Sequence, residues 1–258
     1  MRFTDTEKSK MNGIKIRAEI SDTNQLKQAL EYGKFEYLYV PERFLNSDIS
    51  DKEKIVVIPP VFLGDCEKQI TVRLKELKAL GFKRALAHTA GHIPVIAESG
   101  LYVHGGMRLN VTNSKAAGFF AELGLEDLIL SCELTAARIR SVKSCVTTGI
   151  VAYGRLPLMI TRRCPINDGK PCGNKEGCGK FLTDRRGEKI KALCSNMVEL
   201  LNPDILTIAD KQNDFSAMDF FILRFTDEKD IVSVTGDFQK GIVPKKNFTR
   251  GLYYRGVE

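Results

Sequence analysis

Four of the chain's seven cysteines fall in one run, "CPINDGKPCGNKEGCGKFLTDRRGEKIKALC". They are Cys164, Cys172, Cys178 and Cys194, with seven, five and fifteen residues between them. Thiols grouped this closely can hold each other, a zinc ion or an iron–sulfur cluster. Seven is an odd number, so full pairing within the chain is impossible, and a reducing compartment would keep the thiols free. Zinc knuckles present CxxC pairs because two thiolates at that spacing grip one tetrahedral ion on a tight turn. No CxxC occurs here, although four loop thiolates can still take zinc. A cluster needs four thiolates converging from irregular backbone, which the intervening Gly and Pro residues allow. Spacing alone leaves zinc and cluster both open. Outside the run, Cys132 is a substitute ligand at a strand end, Cys66 is a weaker one, and Cys145 lies on a basic stretch.

The other chemistry-bearing residues are more scattered. His88 and His92 stand in "AHTAGH" at a spacing that on a helix would face one metal, but Gly91 interrupts the helix and no HExxH is formed. Structural or substrate-contact roles suit them better, and His104 reads as a hydrogen-bonding residue at a strand end. In "RLNVTNSKAA", Asn113 or Ser114 caps a helix, which leaves Asn110 as a substrate-contact candidate. Glu133 in "LSCEL" can anchor an arginine or accept a proton, with Thr135 capping the next helix. Arg155, Arg162 and Arg163 flank the first cysteine of the run. Their guanidinium groups can pair with a dicarboxylate or offset the negative charge of a thiolate-bound cluster. "LTDRRG" reads as a hairpin turn. No GxSxG elbow or recognisable Ser-His-Asp or Cys-His set is present.

These residues must be positioned by a repeating unit. A helical segment, a glycine, two or three residues and a short apolar strand recur along the first two-thirds of the chain. Gly33, Gly81, Gly100 and Gly124 stand where a left-handed C-cap is needed. Leu26, Ala29 and Leu30, then Leu74, Leu77 and Leu80, each predict one buried helical stripe. Strands such as "KIVVIPP" are continuously apolar, as parallel strands covered by helices are. Strand starts are expected near Ile14, Tyr37, Lys54, Arg84, Leu101, Leu128, Gly149, Ile205 and Phe221. Eight or nine strands alternating with helices predict a (β/α)8 barrel, and no GxGxxG follows the first strand to favour an open doubly wound sheet. The strand ends then gather Glu19, His88, Arg108, Asn110, Ser131, Glu133 and Arg155 at the C-terminal mouth. The cysteine-rich insertion is expected over the same mouth.

The chain has 258 residues, 43% hydrophobic and 28% charged, a composition of ordinary globular proteins. Residues 1–13 read as a flexible lead-in, or as the point where a longer protein was cut, and 14–258 as a single domain. The start has no apolar core for a signal peptide and no apolar run approaches a membrane span, so a cytoplasmic location is expected. A formal charge of +7 permits an acidic partner such as RNA. Basic and aromatic residues interleave in "VPKKNFTRGLYYR", which suits single-stranded RNA or an amphipathic final strand.

The blocks "YGRLPLMITRRCP", "CGNKEGCGKFLTDRRG" and "CSNMVELLNP" resemble the collagenase-like peptidase family U-32. So do "MRLNVTNSKAAGFFAELGLEDLILSCEL" and "FTRGLYYRGVE", and together they cover roughly residues 14–258 in the family's order. The similarity is to the second, C-terminal barrel of long two-barrel members, which implies a possible second barrel as partner, in the same or another chain. The family carries a peptidase label. Its better understood relatives are oxygen-independent hydroxylases of RNA or ubiquinone precursors, with a [4Fe–4S] cluster on four cysteines and prephenate as oxygen donor. The resemblance therefore implies a cluster on Cys164, Cys172, Cys178 and Cys194, zinc being the alternative. It also implies hydroxylation, with RNA the expected substrate. Other branches of the family have a cysteine where this chain has Pro157. A peptidase, or a non-catalytic RNA-binding module bearing the cluster, are the competing readings.

Overall fold

A computed structural model describes residues 13–61, 64–166, 181–194 and 198–255 of the chain. Eight parallel strands form a closed ring: β1 (Lys15–Glu19), β2 (Leu38–Pro41), β3 (Ile55–Ile58), β4 (Arg84–Ala87), β5 (Tyr102–Gly105), β6 (Leu125–Ile129), β7 (Thr147–Gly154) and β13 (Phe220–Arg224). The ring closes where β13 pairs in parallel with both β1 and β7. Helices Thr23–Tyr32, Glu67–Ala79, His92–Glu98, Ser114–Glu122, Ala136–Ser141 and Ile231–Gln239 follow six of the eight strands. This is the α/β barrel that the repeating unit predicts.

Between β7 and β13 the chain leaves the ring. It forms a separate antiparallel sheet from β8 (Pro157–Thr161), β9 (Phe181–Thr183), β10 (Lys189–Cys194) and β11 (Val198–Leu201), in the order β8-β11-β10-β9. It then returns through β12 (Ile205–Thr207), which pairs antiparallel with β7, and β14 (Phe248–Thr249) pairs alongside β12. The strand expected near Ile205 therefore exists but lies outside the ring. Asn202 donates its backbone N–H to the Leu156 carbonyl at 2.9 Å, which closes the neck of this excursion.

The C-caps follow the glycines: Gly33, Gly81, Gly100 and Gly124 all have positive φ. Asp22, Asn113 and Thr135 cap their helices by accepting from backbone N–H groups. One stripe is corrected. Leu80 is exposed because the helix ends at Ala79, and the buried ridge is Ile70, Leu74 and Leu77. Two glycines of β7 are required by closure: a Cβ at Gly149 would overlap the Phe220 ring, and one at Gly154 the Arg224 carbonyl.

The lower half of the barrel is not apolar. Arg17 from β1 donates to Asp127 of β6 at 2.5 Å, to the Tyr39 hydroxyl at 2.9 Å and to Glu36 at 2.7 Å, with its guanidinium 3.4 Å from the Phe220 ring centroid. His104 of β5 lies 2.9 Å from Asp127 and 3.5 Å from Glu126. It sits inside the strand, not at its end, which corrects the reading of "YVHGGM". Burial works against the imidazolium, but Asp127 and Glu126 outweigh it and hold the His104 pKa above its ordinary value. Burial likewise opposes the Asp127 carboxylate, yet His104 and Arg17 hold it below the usual range. His104 therefore contributes stability at low pH that is lost as pH rises through its raised value. Asp127 contributes stability that is lost as pH falls through its depressed value. In urea unfolding between about pH 5.5 and 8.5, the stability advantage of wild type over His104→Gln should shrink toward the alkaline end, while the lowered pKa values of His88 and His92 act in the opposite direction in both proteins. Parallel profiles for the two proteins would sink the assignment.

Candidate functional site

The strand ends of the barrel bring a charged cluster to the mouth. Arg224, the last residue of β13, donates from Nε to Glu19 at 2.8 Å and from Nη1 to the Arg155 carbonyl at 2.8 Å. Its Nη2 donates to Glu199 Oε2 at 2.5 Å, and Arg108 Nη2 donates to Glu199 Oε1 at 2.6 Å. One carboxylate thus bridges two guanidinium groups, each oxygen taking one. Glu199 comes from β11, so the four-stranded sheet roofs the mouth and reaches into it. Burial opposes the Glu199 charge, but Arg224 and Arg108 prevail and bring its pKa down to about 2.

His88, one residue past β4, lies beside this cluster. Burial, reinforced by Arg108, lowers its pKa to about 3, so the imidazole is neutral near pH 7. His88 Nε2 and Arg108 Nε are both buried without a hydrogen-bond partner among the described residues. His92 is engaged elsewhere: its Nε2 lies 2.8 Å from the Pro60 carbonyl, and its Nδ1 2.9 Å from the Thr89 hydroxyl. Among the described residues no group of three or more His, Cys, Asp or Glu side chains is placed to hold a metal.

Two cavities open at the mouth. One of about 110 Å³ lies directly under the roof, lined by Glu19, Ser21, His88, Leu193, Glu199 and Arg224. Another of about 690 Å³ is lined by Arg108, Asn110, Ser131, Glu133, Leu158 and Arg255 among others. The Arg108–Glu199 pair joins a wall of the larger chamber to a wall of the smaller. In the larger, Ser131 Oγ donates to Asn110 Oδ1 at 2.5 Å and accepts from the Glu133 backbone N–H at 3.2 Å. Asn110 holds φ 52°, a conformation asparagine tolerates better than most residues. Cys132 also lines this chamber, but burial pushes its thiol up to about 12, partly offset by a hydrogen bond to Tyr253.

Of the residues expected from sequence, Asn110 and Glu133 share the larger chamber. Arg155 donates to the Asn202 carbonyl at 3.2 Å and to that of Pro203, and its Nε lies 3.5 Å from Asp227. Its guanidinium braces the neck of the excursion. Arg162 and Arg163 are exposed past the end of β8 and line neither mouth cavity. Cys164 is a half-buried free thiol packed against Ala192, Val198 and Leu200. Val198 and Leu200 alternate with Glu199 along β11, so Cys164 lies on the face of the roof turned away from the barrel. Cys194 ends β10 and pairs with Val198, which pairs in turn with Thr161, three residues before Cys164. Cys172 and Cys178 lie outside the described residues. The "LTDRRG" turn is formed, with Asp184 accepting from the Arg186 and Glu188 backbone N–H groups. Sequence reasoning missed Arg224 and Glu199. Arg224 carried the same signal as Glu19, a charge closing an apolar strand, whereas Glu199 had none.

A model described as Peptidase family U32 matches residues 47–178, just over half of the chain. The solved structure described as "The Structure of the U32 Peptidase Mk0906" is similar with a TM-score of 0.48 and 11% identity, covering 83% of this chain and 94% of that one. No curated protein gives a significant match. The neutrality of His88 is directly measurable. Its ¹⁵N imidazole shifts should stay those of the neutral ring from about pH 8 down to about pH 5, while a solvent-exposed histidine titrates. A midpoint near 6.5 would mean that the mouth is open to water at this position.

Proposed function

The chain belongs to peptidase family U32, and from that premise we propose that it is an iron–sulfur-dependent, oxygen-independent hydroxylase acting on RNA at the barrel mouth, with prephenate as oxygen donor. The observation that carries this reading is the roof sheet: the strands flanking the cysteine run stand over the mouth, tied to it through Glu199. Cys164 lies on the face of the roof turned away from the barrel, so a group held there would stand across the sheet from the mouth cavities. Cys164 is a free thiol beside the roof's own small core, and Cys194 ends the neighbouring part of the same sheet. Cys164, Cys172, Cys178 and Cys194 would hold the cluster, and when bound it supplies one-electron redox chemistry.

The barrel's own residues do the remaining work. The smaller cavity sets a group placed there beside a neutral His88 and between the roof and the strand ends. The larger chamber offers Asn110, Ser131 and Glu133 as hydrogen-bonding groups beside apolar Leu158, an arrangement that orients a polar ring. Hydrolytic machinery has less support. Ser131 gives its proton to Asn110, and His92 is held by Pro60 and Thr89, so neither is poised as nucleophile or base for the other.

Anaerobically purified protein should be brown and contain iron. Cys164→Ser should remove most of both, and Cys145→Ser, at an exposed thiol, should remove neither. Stoichiometric zinc without iron would overturn the hydroxylase reading. Binding to single-stranded RNA should weaken steeply between low and moderate salt, because phosphate contacts release counterions. Binding that is absent at low salt, or indifferent to salt, would exclude RNA as the substrate.

A further inference from the structure

The roof strands pair through their backbones with one another and not with a ring strand. The sheet hangs from the Leu156–Asn202 neck, which Arg155 braces. Toward the barrel its described residues offer the apolar Leu193 and buried Leu201, Lys191, 2.7 Å from the half-exposed Asp227, and Glu199, buried between Arg224 and Arg108. Lys191 makes an ordinary surface pair of small worth. Glu199 is different: its side chain is 12% exposed and both its oxygens are taken by guanidinium groups. Arg224 keeps Glu19 and the Arg155 carbonyl if Glu199 leaves, whereas Arg108 has no other acceptor among the described residues and already carries an unpartnered buried Nε. With Glu199 in place the cavity beneath is about 110 Å³, room for a few atoms only.

We propose that the four-stranded sheet is a lid latched by Glu199, and that it opens when an oxyanion from solution takes the place of this carboxylate on Arg108 and Arg224. In the closed state the chain occupies its own anion site. Displacing Glu199 leaves both guanidinium groups paired, removes the wall between the two cavities and frees the roof to turn on its neck. Glu199 competes as a tethered group, equivalent to a millimolar free carboxylate or more, so a monovalent probe must be used at tens of millimolar, roughly. The inference concerns the mouth alone and needs neither the cluster nor the proposed reaction. It stands or falls separately from them.

Hydrogen exchange on the full chain, read by mass spectrometry, tests it. Glu199→Gln keeps shape and removes charge, and it should speed exchange in β8, β10 and β11 by roughly tenfold or more while β1–β6 stay protected. Arg108→Gln, which spares the Arg224–Glu19 pair, should act in the same direction. In the wild-type protein, acetate and inorganic phosphate should each be titrated against chloride at equal ionic strength. Faster exchange in the roof with either oxyanion, absent in Arg108→Gln, supports the latch, and the stronger of the two identifies the oxyanion class. Equal effects of chloride and the oxyanions would reduce the effect to screening and overturn anion exchange. Unchanged roof exchange in both variants would overturn the latch, and so would loss of protection throughout the barrel.

Discussion

The structure depends on the seam where β7 meets β13. Eight short parallel strands make a ring only if the last comes close enough to hydrogen-bond to both of its neighbours, and β13 pairs with β1 on one side and β7 on the other. Phe220 and Arg224 at the two ends of β13 are large, so β7 provides glycine opposite each of them, at Gly149 and Gly154. Gly154 also holds φ 120°, which an L side chain rarely adopts. The close approach it permits leaves Arg224 at the rim of the mouth, where it gathers Glu19 and Glu199. The closed ring and the charged mouth share one local requirement.

The seam also explains how a barrel with so much internal charge holds together. Arg17 is nearly fully buried, yet each of its polar contacts is made by a neighbour fixed in a strand or at a strand entry. A buried ion pair rarely adds net stability over an apolar pair of the same shape, but losing one partner costs about 3–5 kcal/mol. The network therefore penalises any register other than the one that sets Arg17, Tyr39, His104 and Asp127 at one level. At the mouth the same arithmetic applies to Glu199, with one difference: that carboxylate comes from a separate sheet.

What was legible in the sequence follows from what is local. Caps and C-terminal glycines announce themselves because their physics lies within a few residues, and the apolar strands do so because helices follow six of the eight ring strands and cover them. β6 begins at Leu125, three residues before the start that the apolar pattern predicts at Leu128, because Glu126 and Asp127 look like loop residues. They are tolerated in a strand only because Arg84, His104 and Arg17 meet them from other strands, and a one-dimensional reading does not see those partners. The same blindness hid Glu199, whose role is defined by arginines 25 and 91 residues away. Arg155 was visible for the right reason, as a charge at a strand end, but the neck beside it supplied carbonyl partners that sequence spacing does not reveal.

The neck itself has a wider consequence. The chain leaves the ring after Leu156 and comes back at Asn202, and these two residues are joined by a backbone hydrogen bond. Whatever lies between them is topologically a single loop on a finished barrel. The entropic cost of lengthening such a loop grows only with the logarithm of its length. Insertions, deletions or a different cysteine spacing within it leave the register of all eight ring strands untouched. The barrel and its roof are free to diverge at different rates, with Glu199 as the residue through which a change in one must be matched by the other.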